Sequence, residues 1–267
     1  MMIDFCSLYS GSSGNCIVVG DGNSHLLIDA GVSGKKIEQA LNLKGLSTKD
    51  MSGILITHEH SDHVQGIGVL ARRYGLPMYL TKGTLNAIKR MDSLGKIDES
   101  LFHIISEDVD FSIDNLSIHP IKISHDAAQP VAYKISNGGK SVAVMTDLGI
   151  YDDYIVDNIS GLDALLIESN HDIRMLQTGP YSYPLKMRIL SDSGHLSNEN
   201  AGRLLSRVLH NGLSHIFLGH LSHENNYPEL AFETVRSEID LSDNDFRSID
   251  FDIEVASRFE PSKMIFV

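Results

Sequence analysis

Ile54-Leu55-Ile56-Thr57-His58-Glu59-His60-Ser61-Asp62-His63 is the stretch on which the reading of this chain turns. Its first three residues are apolar and rich in β-branching, which predicts a short buried strand. The seven residues from Thr57 hold three histidines and two carboxylates, and they fall in the loop at that strand's C-terminal end. That is where α/β proteins commonly keep their chemistry. Imidazole nitrogens and carboxylate oxygens suit zinc, manganese or iron. In an extended turn His58 and His60 point to one side, while Asp62 and His63 turn toward a second ion as the next helix begins. A solvated loop that happens to be rich in histidine is the bland alternative. Such loops are seldom this dense in metal-ligand types.

The same pattern recurs outward along the chain. Asp29 closes the apolar run Leu26–Ile28, His125 follows Ile121–Ser124, Asp147 follows Val142–Thr146, and His220 follows Ile216–Gly219. His195 sits in Ser193-Gly194-His195-Leu196-Ser197. One histidine after a strand is usually structural, but the set supplies ligands for two ions. His58, His60 and His125 make one site, Asp62, His63 and His220 the other, and Asp147 has the two oxygens needed to bridge them.

Around these positions the spacing predicts strands at Ile3–Leu8, Cys16–Val19 and Leu26–Asp29, then a helix over 33–43 and the strand Gly53–Ile56. One helix is expected over 63–74, a strand at Met78–Leu80 and a helix over 83–92. β-Rich sequence runs from Phe102 to Ile135, with Leu116–Ile118 and Ile121–Ile123 as separate strands. Buried strands follow at Ser141–Met145, Ala164–Ile167 and Ile216–Leu218. Helices are expected over 197–210, entered through Ser197, and over 228–239, with closing strands in the tail after Ile253.

A chain of 267 residues fits one large domain, 1–267, with a substantial core. Asp4 comes early with no basic segment beside it, and no apolar run approaches a membrane span, so a cytoplasmic protein without membrane contact is expected. Cys6 and Cys16 flank a Ser/Gly turn and lack the spacing of a structural zinc site, so reduced thiols are expected. The formal net charge of −13 argues against whole-surface binding to nucleic acid, which rests on phosphate neutralisation. It does not exclude a nuclease, because a cleft holding two divalent cations is locally positive.

Taken in order, Asp29, the HxHxDH segment His58–His63, His125, Asp147 and His220 resemble the metallo-β-lactamase fold superfamily over nearly the whole chain. The resemblance implies an α/β fold, an αββα sandwich with two mixed sheets and helices outside, and metals at one edge. β-Lactamases proper usually carry Cys at Asp147 and Arg or similar at His63, and the diiron oxygen reductases an acidic residue at His60, so both are disfavoured. Glyoxalase-type thioesterases share the ligand set and stay in play. Gly194-His195-Leu196-Ser197 is similar to the His-Ser-Thr loop of ribonuclease Z, which implies that His195 assists the leaving oxygen of a phosphodiester. His125-Asp126, with Pro130 and Tyr133, resembles ribonucleases Z and J. Glu168–Asp172 and Gly179–Lys186, with Ser10–Asn15 and Asp29-Ala30-Gly31, resemble the bacterial WalJ/YycJ-type group of 5′→3′ DNA exonucleases.

The expectation is thus a binuclear metal-dependent phosphodiester hydrolase, with Mn2+ or Zn2+, acting on DNA. A hydroxide bridging the two ions would attack, with Asp62, Asp147 and His195 catalytic; such an activity also points to DNA repair. An RNA nuclease, a cyclic phosphodiesterase and a thioesterase are the alternatives, and a regulatory protein using the site structurally is a third reading. Asp29 is expected to orient a ligand. His171 is a candidate for substrate contact or for support of the ligands, Lys186 and Arg188 for contact with substrate phosphates or for a solvated basic face, and Tyr181 and Tyr183 for base stacking or simple packing. The Ser10–Asn15 loop offers backbone N–H groups to a phosphate, or is a simple hairpin turn.

Overall fold

The computed structural model describes residues 2–267. The first half of the chain builds one sheet: β1 (Asp4–Tyr9), β2 (Cys16–Gly20), β3 (His25–Ile28), β4 (Met51–Leu55), β5 (Met78–Thr81) and β6 (Phe102–Ile105). The second half builds the other: β7 (Phe111–Ile113), β8 (Leu116–Lys122), β9 (Val131–Asn137), β10 (Lys140–Met145), β11 (Ala164–Glu168), β12 (His215–Gly219) and β13 (Asp252–Val255). The terminal β14 (Ile265–Phe266) crosses back to pair with β1, so the orders are β14-β1-β2-β3-β4-β5-β6 and β13-β12-β11-β10-β9-β8-β7. Both sheets are mixed. β1–β3 and β7–β10 are antiparallel meanders, whereas β3–β6 and β10–β13 run parallel.

Period-two alternation sorts the buried strands onto two faces. Ile17, Val19, Leu26 and Ile28 face Ile118, Tyr133, Val142, Leu166 and Phe217 across the space between the sheets. Val18 and Leu27 point the other way, onto α1 (Gly34–Leu43), α3 (Ile67–Tyr74) and α4 (Lys82–Ile88) through Ile37, Leu41, Leu70 and Leu85. The second sheet is covered in the same way by α5 (Asp153–Ile159), α8 (Asn198–Val208) and α9 (Pro228–Leu241). The result is the αββα sandwich expected from the sequence. Cys6 and Cys16 lie buried in the first helix-side layer as free thiols, and burial raises the pKa of both.

Three local expectations need correction. The helix over 63–74 is two pieces, α2 (Ser61–Val64) and α3. The carbonyl of Asp62, which a continuous helix would bond to Gly66 N–H, instead accepts from Asn15 N–H at 2.8 Å, and Gly66 N–H goes to Ala30. The helix over 83–92 stops at Ile88, where bonds at Arg90 and Met91 shorten to i−3. Leu116 to Lys122 is one strand running through Pro120. Pro120 turns its carbonyl, and therefore its missing N–H, away from β9 toward Asp108, so no ladder bond with β9 is lost. Short helices α5, α6 (Ile173–Thr178) and α7 (Tyr183–Ile189) had no counterpart in the sequence reading. At six or seven residues each they are too short to show a helical period.

Candidate metal centre and active site

The site forms where parallel strands of both sheets end side by side. β3 leads to Asp29, β4 to His58, β10 to Asp147, β11 ends at Glu168, and β12 leads to His220. Asp29, Asp147 and His220 have φ of 60°, 58° and 54°. This left-handed geometry costs a residue with a side chain about 1–2 kcal/mol. Glycine would relax it, but glycine has no carboxylate or imidazole to place at the strand end. Close approach is needed as well: a Cβ on Gly31 would lie 1.6 Å from the Asp62 carbonyl oxygen.

The structure gathers every ligand-type residue named from the sequence. The donor atoms of His58, His60 and His125 lie within 4.8 Å of one another, as do those of Asp62, His63 and His220. Asp147 stands between the two triads, with Oδ2 3.1 Å from His63 Nε2 and Oδ1 3.5 Å from His125 Nε2.

Hydrogen bonding outside the cluster fixes which imidazole nitrogen faces inward. His63 donates Nδ1–H to Asp29 Oδ2 at 2.7 Å. Asp29 in turn accepts from Thr57 N–H and from the Thr57 hydroxyl. With its proton given to Asp29, the Thr57 oxygen accepts from His58 Nδ1 at 3.0 Å. His125 Nδ1 donates to the Gly194 carbonyl, and His220 Nδ1 to Glu168 Oε1. Each of these four rings therefore presents Nε2 to the centre, while His60 presents Nδ1, 3.3 Å from His125 Nε2.

Glu168 went unassigned from the sequence. It is fully buried. Oε1 accepts from both His220 Nδ1 and His195 Nδ1, at 2.7 and 2.8 Å, and Oε2 accepts from Leu148 N–H and Leu196 N–H. Its signal was the one that marked Asp29 and Asp147, a carboxylate closing an apolar strand. His195, held through Nδ1, keeps Nε2 for whatever enters the cleft. Ser197, not His195, caps α8 by accepting from Asn200 N–H.

Among the remaining candidates, His171 is buried with Nε2 unpartnered and Nδ1 3.3 Å from Asn170 Oδ1. Burial lowers its pKa to about 4, so the ring is neutral. Lys186, on α7, donates to the Gln177 carbonyl, and Arg188 is ion-paired with Asp126 beside His125. Tyr183 is the first residue of α7 and strongly exposed.

Charge balance sets the protonation of the cluster. Burial pushes the imidazole of His63 down, but Asp147, Asp29 and Asp62 outweigh it and hold the pKa well above the ordinary value. Burial likewise opposes the His220 imidazolium, yet Asp147, Asp62 and Glu168 lift it to about 10. Burial would raise Asp147, but His220, His63 and His58 hold it well below the usual carboxylate range. His58 itself is pushed far down, by burial and by His63.

His58 Nε2 is buried without a hydrogen-bond partner among nitrogen and oxygen donors, and Asp147 Oδ2 lies closest to His63 Nε2, at 3.1 Å. That donor set fits divalent cations of borderline character. A cation competes with the protons on His63 and His220, so metal uptake at neutral pH is expected to release protons, and apparent affinity to rise with pH. Calorimetric titration of manganese in buffers of different ionisation enthalpy reads this directly. Heats independent of the buffer would contradict it.

A buried amide network holds the Glu168 and His220 turns together. Asn170 Nδ2 donates to the His220 carbonyl, and Asn226 Nδ2 reaches the carbonyls of Ser169 and Asn170. Asn226 Oδ1 accepts from Asn198 at the start of α8. Asn226→Ala strands the Ser169 carbonyl and the Asn198 amide N–H, while the Asn170 carbonyl keeps Ser222 N–H; each stranded group costs about 1–3 kcal/mol. A fall in Tm of roughly 5 °C is expected at this chain length. An unchanged melt would show that the network contributes no stability.

The comparisons with known proteins agree with this geometry. The model of the β-lactamase superfamily domain matches residues 24–213. Exodeoxyribonuclease WalJ of Streptococcus pneumoniae is 42% identical over 88% of each chain. Exodeoxyribonuclease YycJ of Bacillus anthracis is 42% identical over 86% of this chain and 87% of that one. The metallo-β-lactamase fold protein YhfI of Bacillus subtilis superposes over 98% of both chains with a TM-score of 0.70 at 17% identity, a likeness of fold. Sequence and architecture together show that the chain belongs to the β-lactamase superfamily and stands with the WalJ and YycJ exodeoxyribonucleases.

Proposed function

We propose that the protein is a 5′→3′ exonuclease that hydrolyses DNA with two divalent cations, manganese or zinc. One observation carries the reading: two complete ligand triads flank Asp147, and His195 stands beside them on the Glu168 carboxylate that also holds His220. Both sheets supply this one site, so we read the chain as a single domain. The reading of the substrate as DNA is supported by the 42% identity to two exodeoxyribonucleases. With that substrate a cytoplasmic place of action, and a task such as DNA repair, is consistent.

His58, His60 and His125 would hold one cation, and Asp62, His63 and His220 the other, with Asp147 between. Bound there, the cations would lower the pKa of a water toward neutrality and offset charge on the phosphoryl oxygens. The protein's own part is orientation and proton supply. Asp29 and Glu168 fix the rings of His63 and His220. Burial pushes His195 down, but Glu168 and Asp147 hold its pKa above the ordinary imidazole value. The protonated ring can therefore donate from Nε2 to a departing 3′ oxygen, and such proton transfer contributes about 10²–10⁴-fold.

The test uses chelator-stripped protein reloaded with manganese or zinc and given DNA labelled at either end, alongside RNA and a glutathione thioester. Mononucleotides released first from the 5′ end of DNA support the reading. Turnover of the thioester or RNA alone would replace it with that activity.

A further inference from the structure

The row of strand ends does not stop at His220. In the order β10, β11, β12, β13 the parallel strands lead to Asp147, Glu168, His220 and then, three residues past β13, Arg258. A groove of about 280 Å³ opens there, between the Ser10 loop, the turn after His220 and the segment Val255–Phe259. It adjoins the metal cluster through shared backbone. Ser10 Oγ accepts from His220 N–H at 2.8 Å, and Asn15 Nδ2 lies 3.1 Å from His63 Nε2.

Arg258 is braced without being neutralised. Its hydrogen bonds go to uncharged oxygens: Ser12 Oγ, Ser13 Oγ and the Leu221 carbonyl at 2.6 Å. Gly11 lets the loop lie against the guanidinium, since a Cβ there would sit 3.1 Å from Arg258 Cζ. Half burial pulls the Arg258 pKa down. The contrast with Arg188 is direct, because that guanidinium is already paired with Asp126. At the mouth of the groove Phe259 is 80% and Tyr227 49% exposed. The nearby Glu224 turns to His223. A cation held beside two hydroxyls, with two exposed aromatic rings flanking it, matches one phosphate and one unpaired base of a nucleic-acid strand.

We propose that this groove is a strand-binding subsite: Arg258, with Ser12 and Ser13, takes a phosphate of the DNA, and Phe259 and Tyr227 stack on an adjacent unpaired base. The proposal rests on the reading of the protein as a nuclease and names residues that grip the substrate outside the metal cluster. A planar, always-charged fork suits this task better than an ammonium, so Arg258→Lys should rescue only part of the loss.

The test pairs two substrates. On single-stranded DNA, Arg258→Ala should raise KM about 10-fold and reduce the slope of log affinity against log salt by about one phosphate contact. Phe259→Ala should weaken binding about 10-fold with the salt slope unchanged. On bis(p-nitrophenyl) phosphate, too small to reach the groove, both variants should match the parent, with metal content intact. Repeating the assay with 5′-phosphate and 5′-hydroxyl DNA separates the two sources of phosphate. A defect confined to 5′-phosphorylated DNA places the terminal phosphate on Arg258; a defect on both places an internal one there.

An unchanged KM and salt slope in Arg258→Ala would overturn the proposal. So would parallel loss of metal and of small-substrate turnover, which would make Arg258 a brace for the loop. Direct binding of a labelled thymidine dodecamer keeps this separate from the exonuclease reading. If the parent cleaves no DNA yet binds the dodecamer more tightly than Arg258→Ala, the subsite stands and only the activity falls. Equal binding removes the subsite.

Discussion

Asp147→Ala is expected to lower phosphodiester turnover by on the order of 10⁴-fold or more, equivalent to about 5.5 kcal/mol of transition-state stabilisation. Asp147 stands between the two triads. Its two oxygens reach His63 and His125 at 3.1 and 3.5 Å, and it is 2% exposed among the rings of His58, His63, His125 and His220. Without it the cluster loses its central anion, and the histidines that it holds protonated lose the largest charge that raises them. Metal content should fall together with activity, which elemental analysis of the purified variant reads. Turnover near the parent's, with full metal occupancy, would show that Asp147 does not bridge the site. Asp147→Asn is the companion variant: it keeps the shape of the buried side chain, so loss of metal there cannot be assigned to misfolding.

His195→Ala is expected to separate chemistry from metal binding. His195 is not a member of either triad, and its Nδ1 is committed to Glu168 Oε1 at 2.8 Å. Its loss should lower kcat on DNA by about 10²–10⁴-fold, the usual range for removing a general acid, with KM and metal content near the parent's. A p-nitrophenyl ester of thymidine 5′-phosphate refines the test. The p-nitrophenolate leaves without needing a proton, so the variant should handle that substrate almost as well as the parent. An equal defect on both substrates would mean that His195 acts on position or charge and not on the leaving oxygen. The pH profile gives a second readout. Because Glu168 and Asp147 hold the His195 pKa above the ordinary value, the acid form persists to higher pH than that of an ordinary imidazole and is lost as pH rises further. The alkaline fall in kcat on DNA should therefore flatten in His195→Ala.

Much of the candidate site was legible because its ligand-type residues sit where strands stop. A strand end is visible in sequence as an apolar run meeting a polar residue, and Asp29, His58, His125, Asp147 and His220 all carry that mark. The sandwich was legible for the same reason, since strands buried on both faces read as continuous apolar runs. Glu168 carries the mark too, yet its role needs three facts that sequence does not hold. β11 lies between β10 and β12, His195 returns to the same edge, and one oxygen can serve both rings. The break between α2 and α3 was hidden because its cause is Asn15, far away in the chain, which takes the Asp62 carbonyl. Arg258 was invisible as a site residue because the Ser12 and Ser13 hydroxyls that brace it come from the opposite end of the sequence.

Locating the cations tests the two-metal site most directly. A crystal of protein reconstituted with manganese or zinc, measured on either side of the metal absorption edge, gives anomalous peaks that belong to the ion alone. Two peaks per chain are expected, one within reach of His58, His60 and His125 and one within reach of Asp62, His63 and His220, with Asp147 touching both. A single peak, or peaks outside this cluster in a protein that still degrades DNA, would contradict the two-metal site.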